Sequence, residues 1–208
     1  MEYSKEFKAA LSAFSNVEKD RLIFRLLKKD KLLSKKLYFE LIDQETTDDK
    51  RNAMEENVAE QVLLASKYVG NAKYFLTIIR KLSAEITEHI KITTDKFGEV
   101  SLNLLLVNRI LDSNSDFSRQ RFDNVYKLYI YMINKVFKAL VLTKKLDEDY
   151  WMEIDELLRD THQKISENHY LQKLCINNGL DLSWLESDRI PEDIEQIMKD
   201  TKSQGFLR

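Results

Sequence analysis

Helix-breaking residues are almost missing from this chain. Its 208 residues include one proline, Pro191, and four glycines. Because proline and glycine interrupt helices more strongly than any other residue, long amphipathic stretches without them indicate an almost entirely α-helical protein. Gly70, Gly98 and Gly179 fall between amphipathic runs and are expected to mark helix ends, and Pro191 is predicted to occupy the first position of the last helix. The same scarcity excludes glycine-rich phosphate loops and nucleophile elbows.

Apolar residues recur at the spacing of one helix face along most of the chain. Residues 5–14 carry the first short run of this kind, Asn16 is expected to cap a second helix and Asp30 a third, and a longer helix is predicted to begin at Thr47. The helix predicted over residues 119–145 is the most apolar, so we expect it at the centre of the fold, with Ser118 as its cap. The predicted fold class is all-α: an irregular antiparallel helical bundle of about eight or nine helices, with short N-terminal helices packed on a longer-helix bundle.

A polar stretch at residues 43–50 (DQETTDDK) separates the short helices from the longer ones. Polar stretches between periodic segments are typical of loops and of boundaries. We therefore predict a short-helix N-terminal subdomain at 1–45, a main helical bundle at 48–180, and a C-terminal helix and tail at 181–208. A single domain that includes all three parts is the alternative.

Charge, hydropathy and cysteine content all favour a cytoplasmic protein. The net charge is −2, which provides no overall field to attract nucleic acid or an anionic membrane. The most apolar stretch, residues 128–142, contains two lysines and is too short to span a bilayer, and no signal peptide is recognised at the N-terminus. The single cysteine, Cys175, excludes an intramolecular disulfide, and its apolar neighbours predict a buried, inert thiol.

Pairs of carboxylates at i, i+3 spacing are the strongest catalytic candidates. Glu85 and Glu88 form one E-x-x-E, and Glu153 and Glu156 form a second. Two carboxylates three residues apart share a helix face, and four of them can hold magnesium against a triphosphate. The all-α nucleotide pyrophosphohydrolases combine an E-x-x-E on one helix with an E-x-x-D on the next. Here the E-x-x-D pairs precede the first E-x-x-E, and solvated helix faces are the favoured explanation of the carboxylates.

Histidines provide a second set of candidates. His162 and His169 are seven residues apart and are predicted to lie two turns apart on one helix, with Asp155 beside them. Two histidines and a carboxylate are possible ligands for a divalent ion, so Asp155 and His162 are metal candidates. Seven residues place the two rings about 10 Å apart, which favours histidines at the edge of the apolar stripe over metal ligands.

Two blocks of opposite charge stand out in the sequence. Residues 19–36 contain eight basic and two acidic residues, whereas residues 147–160 contain seven acidic residues and one basic residue. Such blocks can dock on each other within the fold, pair between subunits, or recruit charged partners. The basic block supplies the candidate binding residues, which are Arg25, Lys28, Lys29, Lys35 and Lys36.

The absence of a recognisable catalytic signature leads to the functional expectation. We expect a non-catalytic cytoplasmic helical protein that acts through protein–protein interaction, with another protein or a second copy of itself as the partner. A magnesium-dependent hydrolase of the all-α nucleotide pyrophosphohydrolase type is the first alternative, and only this alternative requires a cofactor. A nucleic-acid-associated helical module that uses the basic block is the second alternative, ranked below the first because the block lacks a groove-reading element.

Overall fold

A computed structural model describes residues 2–68, 70–113 and 122–208. These residues form ten α-helices and no strand, so the predicted all-α class is confirmed. The helices are α1 (Lys5–Ser12), α2 (Asn16–Lys29), α3 (Lys31–Leu41), α4 (Thr47–Tyr68), α5 (Ala72–Thr93), α6 (Lys96–Asp112), α7 (Phe122–Thr143), α8 (Trp151–Glu167), α9 (His169–Asn177) and α10 (Ile194–Ser203). Short 3₁₀ turns occur at Glu148–Tyr150, Leu182–Trp184 and Ser187–Arg189. The predicted cap Ser118 lies outside the described residues.

Short polar side chains fix where several helices begin. Ser15 accepts a hydrogen bond from the Glu18 backbone N–H at 3.3 Å, and the Glu18 carboxylate accepts one from the Ser15 backbone N–H at 2.9 Å. Asp30 accepts from the Leu33 backbone N–H at 2.9 Å and so begins α3. Each bond satisfies a donor that the first helical turn leaves unpaired. These caps explain why α1, α2 and α3 are separate short helices.

One predicted helix is in fact two, because Asn168 interrupts it. Asn168 has an extended backbone, with φ −103° and ψ 90°, and its side chain accepts from the Leu171 backbone N–H at 3.0 Å. It therefore ends α8 and caps α9. The break places His162 on α8 and His169 on α9, so the prediction that both histidines lie on one helix is wrong.

The predicted role of Gly98 as a helix end is also wrong. The preceding helix ends at Thr93, Thr94 takes a left-handed conformation with φ 55°, and Gly98 lies in the first turn of α6. Asp95 caps that turn by accepting from the Gly98 backbone N–H at 2.8 Å. A Cβ at position 98 would lie 2.2 Å from Asp95 Oδ2, so this glycine permits a close approach. Here glycine is required by packing, not by a chain reversal.

Of the predictions for Gly179 and Pro191, the first is confirmed and the second is wrong. Gly179 has φ 75° and follows α9 closely, as a glycine beyond a helix C-terminus should. Pro191 does not begin α10, which starts three residues later at Ile194. The intervening residues form a turn, and the Ile194 backbone N–H donates to the Pro191 carbonyl at 3.2 Å. The proline therefore shapes the entry to the helix without being part of it.

The core is built around α6 and α7. Helix α6 packs against α4, α5, α7 and α8, and α7 packs also against α5, α9 and α10. Leu102, Leu104 and Leu106 of α6 are fully buried, as are Phe137 and Leu140 of α7. Burying each such side chain contributes roughly 1.5–3 kcal/mol. The helix that we expected at the centre therefore shares that position with α6.

The three N-terminal helices lie outside this core. We call α1, α2 and α3 (residues 2–42) the N-terminal arm. None of residues 2–57 is buried, and the first buried side chain is that of Val58. Helix α2 packs on α3, and α3 packs on α5, whereas α1 makes no extensive contact with another described helix. The arm is attached to the bundle through α3.

Candidate functional site

The N-terminal arm exposes most of the large apolar side chains that the described residues leave in contact with solvent. Eleven of the eighteen lie between Tyr3 and Ile42. They are Tyr3, Phe7, Phe14, Val17, Ile23, Phe24, Leu26, Leu33, Tyr38, Leu41 and Ile42. Single exposed apolar residues are common, whereas a concentration of this kind is typical of interaction surfaces. The arm is therefore the first candidate functional surface.

The outward side of α2 combines these apolar groups with positive charge. At 100° per residue, Val17, Arg21, Phe24, Arg25 and Lys28 fall within about 100° of one another around the helix axis. All five are exposed, with Phe24 at 64% and Val17 at 59%. The half-buried leucines of α2 fall outside this arc. We call these five residues the basic face.

The predicted basic binding residues divide into two groups. Lys35 pairs with Glu88 of α5 at 2.5 Å, and Lys36 lies 3.8 Å from Glu40 on its own helix. These two lysines therefore take part in contacts within the chain. Arg25, Lys28 and Lys29, all on α2, make no ion pair with any described residue, so their charges are available to a partner. The same holds for Arg21 of α2, which was not among the predicted binding residues.

An exposed acidic surface lies at the start of α8. Glu148 and Asp149 precede the helix, and Glu153 and Glu156 belong to it. All four are exposed and none forms an ion pair with a described residue. Met152 lies among them and is 78% exposed, more than any other large apolar side chain of the described residues. We call these five residues the acidic face; it contains Glu153 and Glu156, two of the predicted catalytic candidates.

The other predicted catalytic pair lies at a cleft between α3, α4 and α5. The cleft has a volume of about 670 Å³, and Glu85, Glu88 and His89 of α5 line it together with Asp43. Glu85 accepts a hydrogen bond from Asn57 Nδ2 at 3.4 Å. The structure thus places Glu85 and Glu88 at one cleft with Asp43, which belongs to one of the E-x-x-D pairs of the sequence (Glu40 with Asp43).

The charges in the cleft are largely satisfied within the chain. Glu88 is paired with Lys35, and Asp43 is paired with Lys50 at 2.9 Å. Burial lowers the pKa of His89, so its ring is uncharged near neutral pH. Among the described residues, no group of three His, Cys, Asp or Glu side chains is arranged to hold a metal ion. The magnesium-dependent hydrolase stays a prediction, and the cleft adds no ligand set in its favour.

The predicted metal candidates on α8 have other contacts. Asp155 accepts from the Ser187 backbone N–H at 2.7 Å and from Ser187 Oγ at 3.0 Å, and this ties the turn at Ser187–Arg189 to α8. His162 is half-buried on the same helix. Because Asn168 separates α8 from α9, His169 does not join them on one face. Asp155 therefore has a structural role in linking two segments.

Two partly buried polar contacts between helices were not recognised in the sequence. Asp95 accepts two hydrogen bonds from Arg51, which lies on α4, and Lys135 of α7 donates to Asn103 Oδ1 of α6 at 2.9 Å. Burial lowers the pKa of Lys135 to about 8. The partners are distant in sequence and share no motif, so no pattern links them. Both contacts join core helices and lie outside the arm.

The surfaces described above are the main guide to function. Comparison with family models, curated proteins and solved structures found no match for this chain. None of the helices in the described ranges is both long and apolar enough to cross a membrane.

Proposed function

We propose that this chain is a non-catalytic cytoplasmic protein that binds another protein through its N-terminal arm. One observation carries the proposal: the N-terminal arm (residues 2–42) buries no residue, yet it exposes eleven large apolar side chains. Short helices in water are marginal without tertiary packing. A partner that covers the arm would supply that packing.

The composition of the basic face favours a protein as the partner. Phe24 is 64% exposed and lies on the same outward side of α2 as Arg21 and Arg25. Aromatic side chains and arginine are the residues that most often dominate binding energy at protein interfaces. Burial of Phe24 alone by a partner would contribute roughly 1.5–3 kcal/mol. A nucleic-acid phosphate backbone would use the charges and leave the apolar groups in water.

Photo-cross-linking in cells that produce the protein tests this function. A benzophenone side chain is introduced at position 24, and in a matched control at position 74, where Tyr74 of α5 is 67% exposed. Tyr74 lies fourteen residues, about 21 Å along the helix, from Glu88, where the arm contacts α5. We expect a discrete protein adduct from position 24 and none from position 74.

Two results would contradict the proposal. The first is the absence of any protein adduct at position 24 when the labelled chain is folded. The second is an equal yield of the same adducts from positions 24 and 74, which would indicate non-specific contact. Circular dichroism checks that both labelled chains are folded. We expect both to fold because both positions are exposed and neither substitution removes a buried contact.

A further inference from the structure

The basic face and the acidic face repeat one spacing with opposite charge. Arg21, Phe24, Arg25 and Lys28 occur at i, i+3, i+4 and i+7. Asp149, Met152, Glu153 and Glu156 occur at the same spacing, each 128 residues after its counterpart. Arg21, Phe24, Arg25 and Lys28 share one side of α2, whereas Asp149 lies in the 3₁₀ turn just before α8, which carries Met152, Glu153 and Glu156. The two faces are therefore complementary in charge and alike in the sequence spacing of one apolar and three charged residues.

Both faces are open to solvent in a single chain. Phe24 is 64% exposed and Met152 is 78% exposed. The six charged side chains of the two sets make no ion pair with any described residue. The wider blocks have net charges of +6 (eight minus two, residues 19–36) and −6 (one minus seven, residues 147–160). The basic face therefore presents cations, and the acidic face presents carboxylates, that have no ion-pair partner among the described residues and are opposite in sign.

The fold does not bring the two faces together within one chain. The arm is attached through α3, which packs on α5, whereas α8 packs on α6 and α9. No extensive contact joins α2 or α3 to α8, and no ion pair among the described residues links residues 19–36 to residues 147–160. The described residues therefore do not show the first of the possibilities raised by the sequence, in which residues 19–36 dock on residues 147–160 within the fold.

We propose that the arm of one copy binds the acidic face of a second copy, and that the second copy returns the same contact. This proposal rests on the proposed function, because it names the protein that the arm binds. Two reciprocal contacts give a closed two-fold dimer in which both basic faces and both acidic faces are used. Phe24 and Met152 form the apolar centre of each contact, and the three cations and three carboxylates surround them.

Charge reversal with complementary rescue tests the pairing. One variant carries Arg21→Glu, Arg25→Glu and Lys28→Glu, and the other carries Asp149→Lys, Glu153→Lys and Glu156→Lys. Each variant alone has like charges on both faces, so we expect its dimer dissociation constant to rise by at least about tenfold. An equimolar mixture restores opposite charges at both contacts of a mixed dimer. We expect the mixture to regain the wild-type dissociation constant within about threefold.

Sedimentation velocity over about 1–200 µM protein measures these constants. The wild-type chain is expected at twice the protomer mass of 24.6 kDa, with weaker association in about 1 M salt, where the Debye length is about 3 Å. A matched control carries Lys67→Glu, Lys73→Glu and Lys81→Glu, at exposed positions outside both faces. It lowers the net charge by the same amount as the charge reversal of the basic face. This control is expected to dimerise like the wild type.

Several outcomes would overturn the dimer. These are a monomeric wild-type chain over the whole concentration range, dimers that persist in both charge-reversed variants, and a mixture that stays monomeric. A monomeric wild type that binds a double-stranded oligonucleotide, with loss of this binding in the variant that carries Arg21→Glu, Arg25→Glu and Lys28→Glu, would show a nucleic-acid surface instead. The cross-linking experiment separates the two proposals: an adduct between position 24 and a different protein refutes the dimer and leaves the proposed function intact.

Discussion

Substitution of Asp95 would test how the start of α6 is held against α4. The Asp95 carboxylate accepts from Arg51 Nε at 2.6 Å, from Arg51 Nη2 at 3.0 Å and from the Gly98 backbone N–H at 2.8 Å. Its side chain is 4% exposed and that of Arg51 is 16% exposed. The Arg51 guanidinium also lies over the Phe97 ring, 4.7 Å from its centroid. One carboxylate thus joins two helices and caps one of them.

The expected magnitude follows from separating these roles. Asp95→Asn keeps a cap, because asparagine caps helices about as well as aspartate, but it leaves Arg51 without its buried counterion. Breaking a buried ion pair lowers the free energy of unfolding by about 3–5 kcal/mol. Asp48 lies 3.0 Å from Arg51 and is largely exposed, so it retains part of the interaction. We expect a loss of about 3 kcal/mol for Asp95→Asn, and about 1 kcal/mol more for Asp95→Ala, which also loses the cap.

Urea unfolding followed by far-UV circular dichroism measures these losses. The double variant Arg51→Met/Asp95→Asn removes both charges and is expected to be more stable than the sum of the single losses predicts. Asp48→Ala, at an exposed pair, is expected to lose less than about 1 kcal/mol. A loss below about 1 kcal/mol for Asp95→Asn, with an unchanged denaturant slope, would refute the reasoning about the ion pair. Equal losses for Asn and Ala would refute the reasoning about the cap.

Three further predictions follow from burial. The pKa of Lys135 is about 8 in the folded chain and about 10.5 in the unfolded chain, so this lysine makes the free energy of unfolding rise with pH between these two values. From pH 7 to 9, the free energy of urea unfolding of the wild type should gain about 1 kcal/mol relative to that of Lys135→Met, and the exposed control Lys127→Met should not differ from the wild type. Cys175 is fully buried and its pKa is raised to about 12, so a thiol reagent should label it only after urea unfolding; rapid labelling of the folded chain would contradict this. Deleting residues 1–29, which bury no side chain, should lower the free energy of unfolding by less than about 1 kcal/mol in the same assay, and a loss above about 2 kcal/mol would show that α1 and α2 support the core.

Helix formation was predictable because it depends on neighbours in sequence. The predicted start of α4 at Thr47 and the predicted cap at Asp30 are both confirmed, whereas the predicted cap at Asn16 is wrong, because Ser15 caps α2. The break at Asn168 was less visible, because apolar spacing continues on both sides of it. Gly98 was assigned to a helix end because glycine is usual there, whereas its position is required by Asp95 and Arg51 close to its Cα. These errors arise where a side chain distant in sequence, or a local cap, overrides the pattern.

The candidate surfaces were predictable only in part. The opposite charges of residues 19–36 and 147–160 are visible in the sequence, and so is the spacing of Glu85 and Glu88. The sequence did not show that Phe24 lies on the outward side of α2, because amphipathic periodicity predicts which residues share a face and does not say whether that face is covered. It also did not show that Lys35 is paired with Glu88, fifty-three residues away.

The sequence by itself determined the helical class, several helix limits and the two charged blocks, because propensity, capping and charge are properties of short segments. Only the tertiary structure decided which amphipathic faces are buried. Helices α6 and α7 are enclosed by neighbours, whereas α1 and α2 have the same kind of apolar spacing and bury nothing. Burial depends on which helices pack together, and that is set by contacts between residues far apart in the chain. The basic face of the arm and the acidic face at the start of α8, which form no ion pair with a described residue, are both results of that packing.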